Sequence, residues 1–488
     1  DSILGQFDPG AVDRSVNPWD YLLMMEGALV FASAAVKRHE LSDKGILSYP
    51  FCVRSAGVGY GSSTAADEDS CRAEMWLPLW TKPCGLAEIR ILFSEGRAQV
   101  NGRSARNGVD FARAIATLGT DRGIEQFVRF GFHARNGLAY FAVPLGRFLV
   151  RHQPQVDLLN EEKLDTWIES FRRAASSDNA PSRALRALNR LETAILKLCQ
   201  QKGAAQLQAV LIALGEAESV LAKSPKWRDE AYQRPVPLLS PEWLVQCDDH
   251  SEEFRLAASL AGIYGPAVGT LRQHLEPVEV KPFGATWSES SNAANNVVWS
   301  EGDLERNLIA VFARRSIEAV KQNERAPDGT LVFPGQFSCS ASLGDVAAFL
   351  TRNVNDEQIN ALLRGLILLN WPQVRQQDTA SKMQPGDNTS SPDAIFTILK
   401  LCHVPYHIYD KYIPLTPQIA RLAAAGRLDE ATKMSLRRLT GSSLKPILRT
   451  AAQGGKLGRR LAAALLFPIS SEEMHKLAKS VLAKPEHV

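Results

Sequence analysis

Long apolar runs are scarce in this sequence. The best candidate for a membrane span, Leu22 to Val36, falls short of the ~20 residues a span needs, and Glu26 interrupts it. No secretory leader is expected at the start, because residues 1–14 read as polar and acidic. Cysteine is sparse. The seven thiols, Cys52, Cys71, Cys84, Cys199, Cys247, Cys339 and Cys402, are scattered, odd in number and never spaced CxxC. That implies neither a disulfide framework nor a zinc knuckle, and a reducing cytoplasm is the simplest setting. Also missing are HExxH, the His-Asp doublet of metal phosphohydrolases, the Gly-x-Ser-x-Gly elbow and any repeat of solenoid period. No initiator Met is present, so Asp1 is expected to begin a fragment or a processed product.

What is present fits a globular protein. The 488 residues are 45% apolar and 22% charged, with a net charge of +3. Wholesale disorder and collagen-like or mucin-like architectures are excluded. The length suggests roughly three domains of about 150 residues each.

The texture predicts an α+β chain. Residues 1–152 read as a mixed α/β region. A helix starts at Asn17-Pro18-Trp19-Asp20, with Asn17 as cap. The continuous apolar run behind it predicts a buried helix. Strands are expected at 49–54, at 89–93 and over 137–150, where Pro144 and Gly146 limit regularity. Val109–Leu118 reads as a helix. Residues 153–374 read as helical. Leu164, Trp167, Ile168 and Phe171 form one face, behind Asn160 as cap. Leu185, Leu188, Leu191, Ile195 and Leu198 form a second, and Leu207, Leu211, Leu214 and Leu221 a third. Residues 225–241, with four prolines, suggest a boundary or a crossing arm. Residues 281–296 suggest a loop. Residues 375–393 predict a flexible loop, and 394–488 a basic C-terminal helical bundle.

Charge is unevenly placed. Between Arg90 and Arg151 arginine recurs while lysine is absent. Several of these arginines adjoin Gly or Asn, which lets backbone approach a polyanion closely. Arg itself offers a planar fork that suits phosphate. A second basic block runs from Lys433 to Arg460, and no acid occurs between Ala431 and Ser470. The alternative for either block is a solvated or internally paired face. Arg113 and Arg122 in particular are candidates for buried partners of Asp110 and Asp121.

Catalytic chemistry finds little support. Gly57-Val58-Gly59-Tyr60-Gly61-Ser62 lacks a following Lys-Ser/Thr pair and precedes three acids, so a structural turn is the better reading. Cys402, His403 and His407 cluster, but Pro405 spoils helical ligand geometry. The tryptophans sit in apolar runs and read as core. No catalytic residue, metal or cofactor is expected.

Several runs together narrow the function. They include Asn17-Pro18-Trp19-Asp20 with Met25-Glu26-Gly27-Ala28-Leu29, and Glu74-Met75-Trp76-Leu77-Pro78-Leu79-Trp80 with Glu95-Gly96-Arg97. Next come Asn107-Gly108-Val109-Asp110-Phe111-Ala112-Arg113 and Arg135-Asn136-Gly137-Leu138. Later ones are Val297-Val298-Trp299, Gly302-Asp303-Leu304, Arg364-Gly365-Leu366, Arg437-Arg438-Leu439 and Arg460-Leu461-Ala462-Ala463-Ala464. In this order the chain resembles the large subunit of the type I-G (formerly I-U) CRISPR effector complex, Cascade. It departs from that family in lacking most of an N-terminal region that precedes the Asn-Pro-Trp-Asp motif.

The resemblance implies a non-catalytic, cytoplasmic subunit. It would join crRNA-bound backbone subunits, bind target DNA, support R-loop formation and recruit the helicase–nuclease of antiviral defence. No membrane is involved. Protein in such complexes holds strands while base pairing reads sequence. The nucleic-acid-binding candidates are Arg97, Arg103, Arg106, Asn107, Arg113, Arg135 and Asn136 in the first region. In the C-terminal block they are Arg437, Arg438, Arg459 and Arg460. Two other readings compete. One is a helical protein–protein scaffold whose arginines pair internally; the other is a metal-dependent nuclease using Asp67 or Asp69.

Overall fold

Alternating burial along Cys71–Trp80 organises the N-terminal part of the fold: Glu74, Trp76 and Pro78 face inward while Leu77 and Leu79 face out. The computed structural model describes residues 18–33, 36–37, 47–48, 51–55, 58, 71–80, 82–94, 99–118, 123–135, 139–265, 269–281, 284–288, 296–322, 336–383, 386, 388–403, 406–408, 411–413, 416–448 and 458–483. The chain divides into two compact units. The first comprises residues 1–165 and 188–206, the second 166–187 and 207–488. The expected division at 152/153 thus falls inside the first unit. The fold is α+β, with small sheets and a mostly helical C-terminal region.

In the first unit a four-stranded antiparallel sheet runs Cys52–Val53, Cys71–Trp80, Ile124–Arg135, Ala139–Leu149 in spatial order. The last two strands form a long hairpin. Its register shifts where Arg129 opposes Gly146 and Phe130 opposes Pro144, so the irregularity expected at Pro144 and Gly146 is a bulge. The Gly108–Leu118 helix supplies Phe111, which stacks on Trp76 at 4.8 Å and meets Phe127 edge-on at 5.4 Å. Phe148 packs on Trp76 at 4.7 Å. Each such aromatic contact adds about 0.5–1.5 kcal/mol beyond area burial.

Two local expectations are corrected here. Residues 89–93 are not a strand but lie in the Leu86–Ser94 helix. Glu88 accepts the Gly85 amide at 2.7 Å and ties down the helix start, which alternation alone does not register. The Pro18–Ser33 helix is not buried. Trp19, Leu23 and Leu29 are 71%, 67% and 67% exposed, and among its described side chains Val30 alone is core. Asn17, its expected cap, lies outside the described residues.

In the second unit most of the helical faces read from sequence are core. Trp167, Ile168, Phe171, Leu207, Leu211, Leu214 and Leu221 are all buried. Leu164, Leu188, Leu191, Ile195 and Leu198, in the first unit, are buried too, whereas Leu185 is exposed. The Ala204–Ala222 helix has the length and hydropathy of a membrane span, the one such helix among the described residues. Its Glu218 pairs with Arg272 inside the fold, which marks it as a core helix.

The proline-rich stretch is a packed arm. Leu239 donates to the Leu368 carbonyl at 3.0 Å and accepts from the Asn370 amide at 2.8 Å. Residues 281–296 are only partly loop, because Val278–Lys281 and Gly284–Trp287 form a hairpin. Within 375–393, a helix end, a 3-10 turn at Thr379–Lys382 and Asn388 are ordered. Asn388 donates to Glu252 at 2.8 Å and to the Gly344 carbonyl at 3.2 Å, which tethers that segment. Beyond it come five helices among the described residues, Ala394–Leu401, Pro417–Ala424, Leu428–Gly441, Gly458–Ala464 and Ser471–Val481.

Candidate functional site

The basic residues read from sequence separate into a buried group and an exposed group. Asn101 and Gly102 both adopt left-handed backbone, making a two-residue hairpin turn between Gln99–Val100 and Arg103–Ser104. This turn aims Arg103 inward. Its guanidinium meets Asp110 at 2.9 Å and Asp165 at 3.1 Å. Arg113, on the next helix, meets Asp165 at 2.7 Å. It also donates to the Leu159 carbonyl and to Asn160 Oδ1, both at 2.8 Å. Burial pushes the Asp165 carboxyl up, but Arg113 and Arg103 together outweigh that and hold it below its ordinary value.

Four sequence assignments change as a result. Arg113 is fully buried and belongs to the fold, not to a nucleic-acid surface. Its partner is Asp165 rather than Asp110. Asn160 is not a helix cap: it accepts from Arg113 and donates to Thr117 Oγ1 at 3.1 Å. Asn107 is also buried, and its Oδ1 accepts the Asp110 amide at 2.9 Å, capping the Gly108–Leu118 helix. Arg106 keeps an exposed side chain. Arg97 and Asn136 lie outside the described residues, as does the Arg135 side chain at the end of its strand. Arg122 and Asp121 lie outside them too.

A buried pair that the sequence did not flag underlies the same sheet. Arg129 grips Glu74 through two bonds, 2.8 and 2.6 Å, and donates to the Val58 carbonyl at 2.9 Å. A Cβ on Gly108 would sit 2.0 Å from Glu74 Oε2, so glycine is required where helix and carboxylate meet.

The C-terminal block divides in the same way. Arg460 is buried. It donates to the Phe349 carbonyl at 2.7 Å, pairs with Asp356 at 2.9 Å and Glu305 at 3.2 Å, and lies 3.5 Å over the Phe349 ring. Its assignment to a strand-guiding face is therefore corrected: the carboxylates and the ring already use the guanidinium. Arg459, the preceding residue, points outward and is exposed, as helical periodicity requires. On the Leu428–Gly441 helix Lys433 and Arg437 are exposed at i, i+4 and share a face, and Arg438 is half-buried. Lys433 belongs to the basic block, but sequence alone does not single it out.

Among the described residues no group of three or more His, Cys, Asp or Glu side chains is placed to hold a metal ion. Asp67 and Asp69, and the 57–62 turn apart from Val58, lie outside them. Cys402 donates to the Ser435 carbonyl at 3.6 Å and burial pushes its thiol up to about 12. Burial, then Lys400, pushes His403 down to about 3. The two make core contacts, with His403 edge-on to Phe312 at 5.4 Å. The His407 side chain is not described.

No protein-family profile and no curated protein matches this chain.

Proposed function

We propose that the chain is a non-catalytic large subunit of a crRNA-guided type I-G Cascade complex. It binds target DNA in the cytoplasm, supports R-loop formation and recruits the helicase–nuclease in antiviral defence. The reading rests on the ordered series of sequence runs described above. The observation that carries it is the exposed cationic face of the Leu428–Gly441 helix, Lys433 with Arg437, together with exposed Arg459. Such a face can follow the phosphates of a displaced strand without reading its sequence.

A second reading has its own support. Arg103, Arg113 and Arg460 are ion-paired within the fold. The Pro18–Ser33 helix presents Trp19, Tyr21, Leu22 and Leu23 outward. Both features suit a protein–protein scaffold.

Co-expression with the backbone and crRNA-processing subunits and a crRNA separates the two. Incorporation that is required for target-duplex binding supports the DNA-binding subunit. Incorporation with unchanged duplex binding, including for a Lys433→Ala/Arg437→Ala variant, supports the scaffold.

A further inference from the structure

Within the second unit a cavity of about 350 Å³ opens beside the close crossing of two helices. A Cβ on Gly215 would lie 2.4 Å from the Arg364 carbonyl oxygen, and one on Gly365 would lie 2.6 Å from Leu211 Cγ. That crossing sets Arg364 against the Ala204–Ala222 helix, where Ser219 follows Gly215 by one turn and Lys223 follows Ser219 by another.

Glu276 lines the cavity and is buried. Its carboxyl takes a hydrogen bond from Ser219 and one long contact from a guanidinium. Arg364 Nη1 stands 3.4 Å away, and the same nitrogen reaches Ser219 Oγ at 3.3 Å. Nearby Glu218, by contrast, is held tightly by Arg272 through Nε at 2.9 Å. Glu276 therefore retains acceptor capacity in a low-dielectric wall. Trp299 also lines the cavity, and its indole Nε1 is a buried donor with no acceptor among the described residues. Leu275, Pro277 and Val297 make apolar wall. At the mouth Lys223 and Glu301 form an ion pair at 2.8 Å, with Glu301 almost wholly exposed. Val297, Trp299 and Arg364 come from two sequence runs that the cationic face leaves unused.

From this arrangement we infer that the cavity accepts a single unstacked guanine base. Guanine presents two adjacent N–H donors, at N1 and N2, next to the O6 acceptor. A carboxylate takes the two donors, and a guanidinium or indole N–H takes O6. Adenine and cytosine each offer only one exocyclic donor beside an acceptor. Thymine offers one donor between two acceptors. An extruded base read on its pairing edge in an apolar-walled slot is a known solution for single strands. The base can come from a strand or from a free nucleotide. The strand as source rests on the DNA-binding reading above.

The test uses the full chain at pH 8, where the Glu276 carboxyl is ionised, and two probes. One is an oligothymidine strand with or without a single central guanine; the other is guanosine 5′-monophosphate. Binding is followed by anisotropy and by tryptophan fluorescence. The guanine-bearing strand is expected to bind about tenfold or more tightly than all-thymine. Glu276→Gln, which replaces one acceptor oxygen by a donor, should abolish that preference with all-thymine binding and circular dichroism unchanged. Ala222→Phe, filling the cavity from the helix side, should do the same and guards against a folding effect of the first variant. Binding of guanosine monophosphate without strand binding would support the cavity and make the free nucleotide its source, while removing the DNA-binding reading. No guanine preference together with no nucleotide binding overturns the inference. So does a preference that survives Glu276→Gln. Loss of all-thymine binding in Lys433→Ala/Arg437→Ala bears on the cationic face alone.

Discussion

Arg113 and Asp165 form a buried ion pair at 2.7 Å that joins the Gly108–Leu118 helix to the start of the Glu162–Ala175 helix. Arg113→Ala leaves Asp165 with Arg103 at 3.1 Å and strips the Leu159 carbonyl and Asn160 Oδ1 of a buried donor, which costs about 1–3 kcal/mol. Arg113→Ala should therefore lower the free energy of unfolding in urea by that amount. Arg103→Ala should cost less, because its guanidinium is partly exposed and Asp165 keeps Arg113. The acid side follows from sign. Asp165 is held below its ordinary value, so its contribution is complete above about pH 4. It is lost as pH falls through the lowered value, and the Arg113→Ala deficit should shrink there. An Arg113→Ala protein of unchanged stability at neutral pH would contradict the pairing.

Adjacent arginines 459 and 460 give a sharper contrast. Arg460→Ala removes the partner of Asp356, leaves Glu305 with Arg352 at 2.7 Å and leaves the Phe349 carbonyl short of a donor. A loss of about 1–3 kcal/mol is expected, because Asp356 is partly exposed and the Phe349 carbonyl is left unsatisfied. Arg459→Ala touches an exposed side chain and should stay within about 0.5 kcal/mol. In DNA binding the order should reverse. Lys433→Ala, Arg437→Ala and Arg459→Ala should each reduce the salt slope on single strands by about 0.7 if the residue meets a phosphate. Titrations at several salt concentrations measure this, and an unchanged slope in all three removes the cationic face from the interface.

These pairs also show how far the sequence could be read. Helical spacing found Trp167, Ile168 and Phe171, because burial of one face is a local pattern. Asn101-Gly102 was visible as a turn, yet its consequence, Arg103 directed at Asp165, depends on a carboxylate 62 residues away. Basic density therefore overstated the surface: Arg113 and Arg460 are as basic in sequence as Arg459, and only tertiary partners separate them. The cavity was invisible for the same reason. Glu276, Trp299, Arg364 and Ser219 come from four segments with no fixed spacing. The Pro18–Ser33 helix failed differently, since a continuous apolar run does not state what covers it.

Glu276 provides a pH test independent of any ligand. Burial, with Glu218 adding to it, pushes its carboxyl up to about 7, while Ser219, Arg364 and Lys223 pull the other way. A carboxyl raised in the folded state holds its proton where the unfolded chain has lost it. Its contribution to stability is therefore present below about pH 4 and declines as pH rises toward 7. Other groups titrate in the same range. Burial pushes His274 down to about 4 and His403 down to about 3, and both favour the fold as pH rises. The difference between Glu276→Gln and the parent isolates the carboxyl. Glu276→Gln should gain stability relative to the parent from pH 5 to pH 8, followed by thermal unfolding. A flat difference would mean that Glu276 is ionised throughout and well solvated.

The helix crossing that places Arg364 rests on two glycines, and it can be tested by adding one carbon. Alanine at an open helical position is favoured over glycine by up to about 1 kcal/mol. Gly27 lies in a helix with nothing near its missing Cβ, so Gly27→Ala should be neutral or stabilising. Gly365→Ala should behave oppositely. Its Cβ would meet Leu211 Cγ at 2.6 Å and the Leu211 carbonyl oxygen at 2.8 Å, and backbone cannot rotate away as a side chain can. Overpacking of this kind costs about 1–3 kcal/mol, which exceeds the helical gain. The Asp356–Leu366 helix must then move off the Ala204–Ala222 helix and carry Arg364 from Glu276 and Ser219. Gly365→Ala should thus lose both stability and any guanine preference, whereas Gly27→Ala loses neither. If Gly365→Ala unfolds at the parental midpoint, the helices cross less closely than the Gly215 and Leu211 contacts require, and Arg364 is not fixed by them.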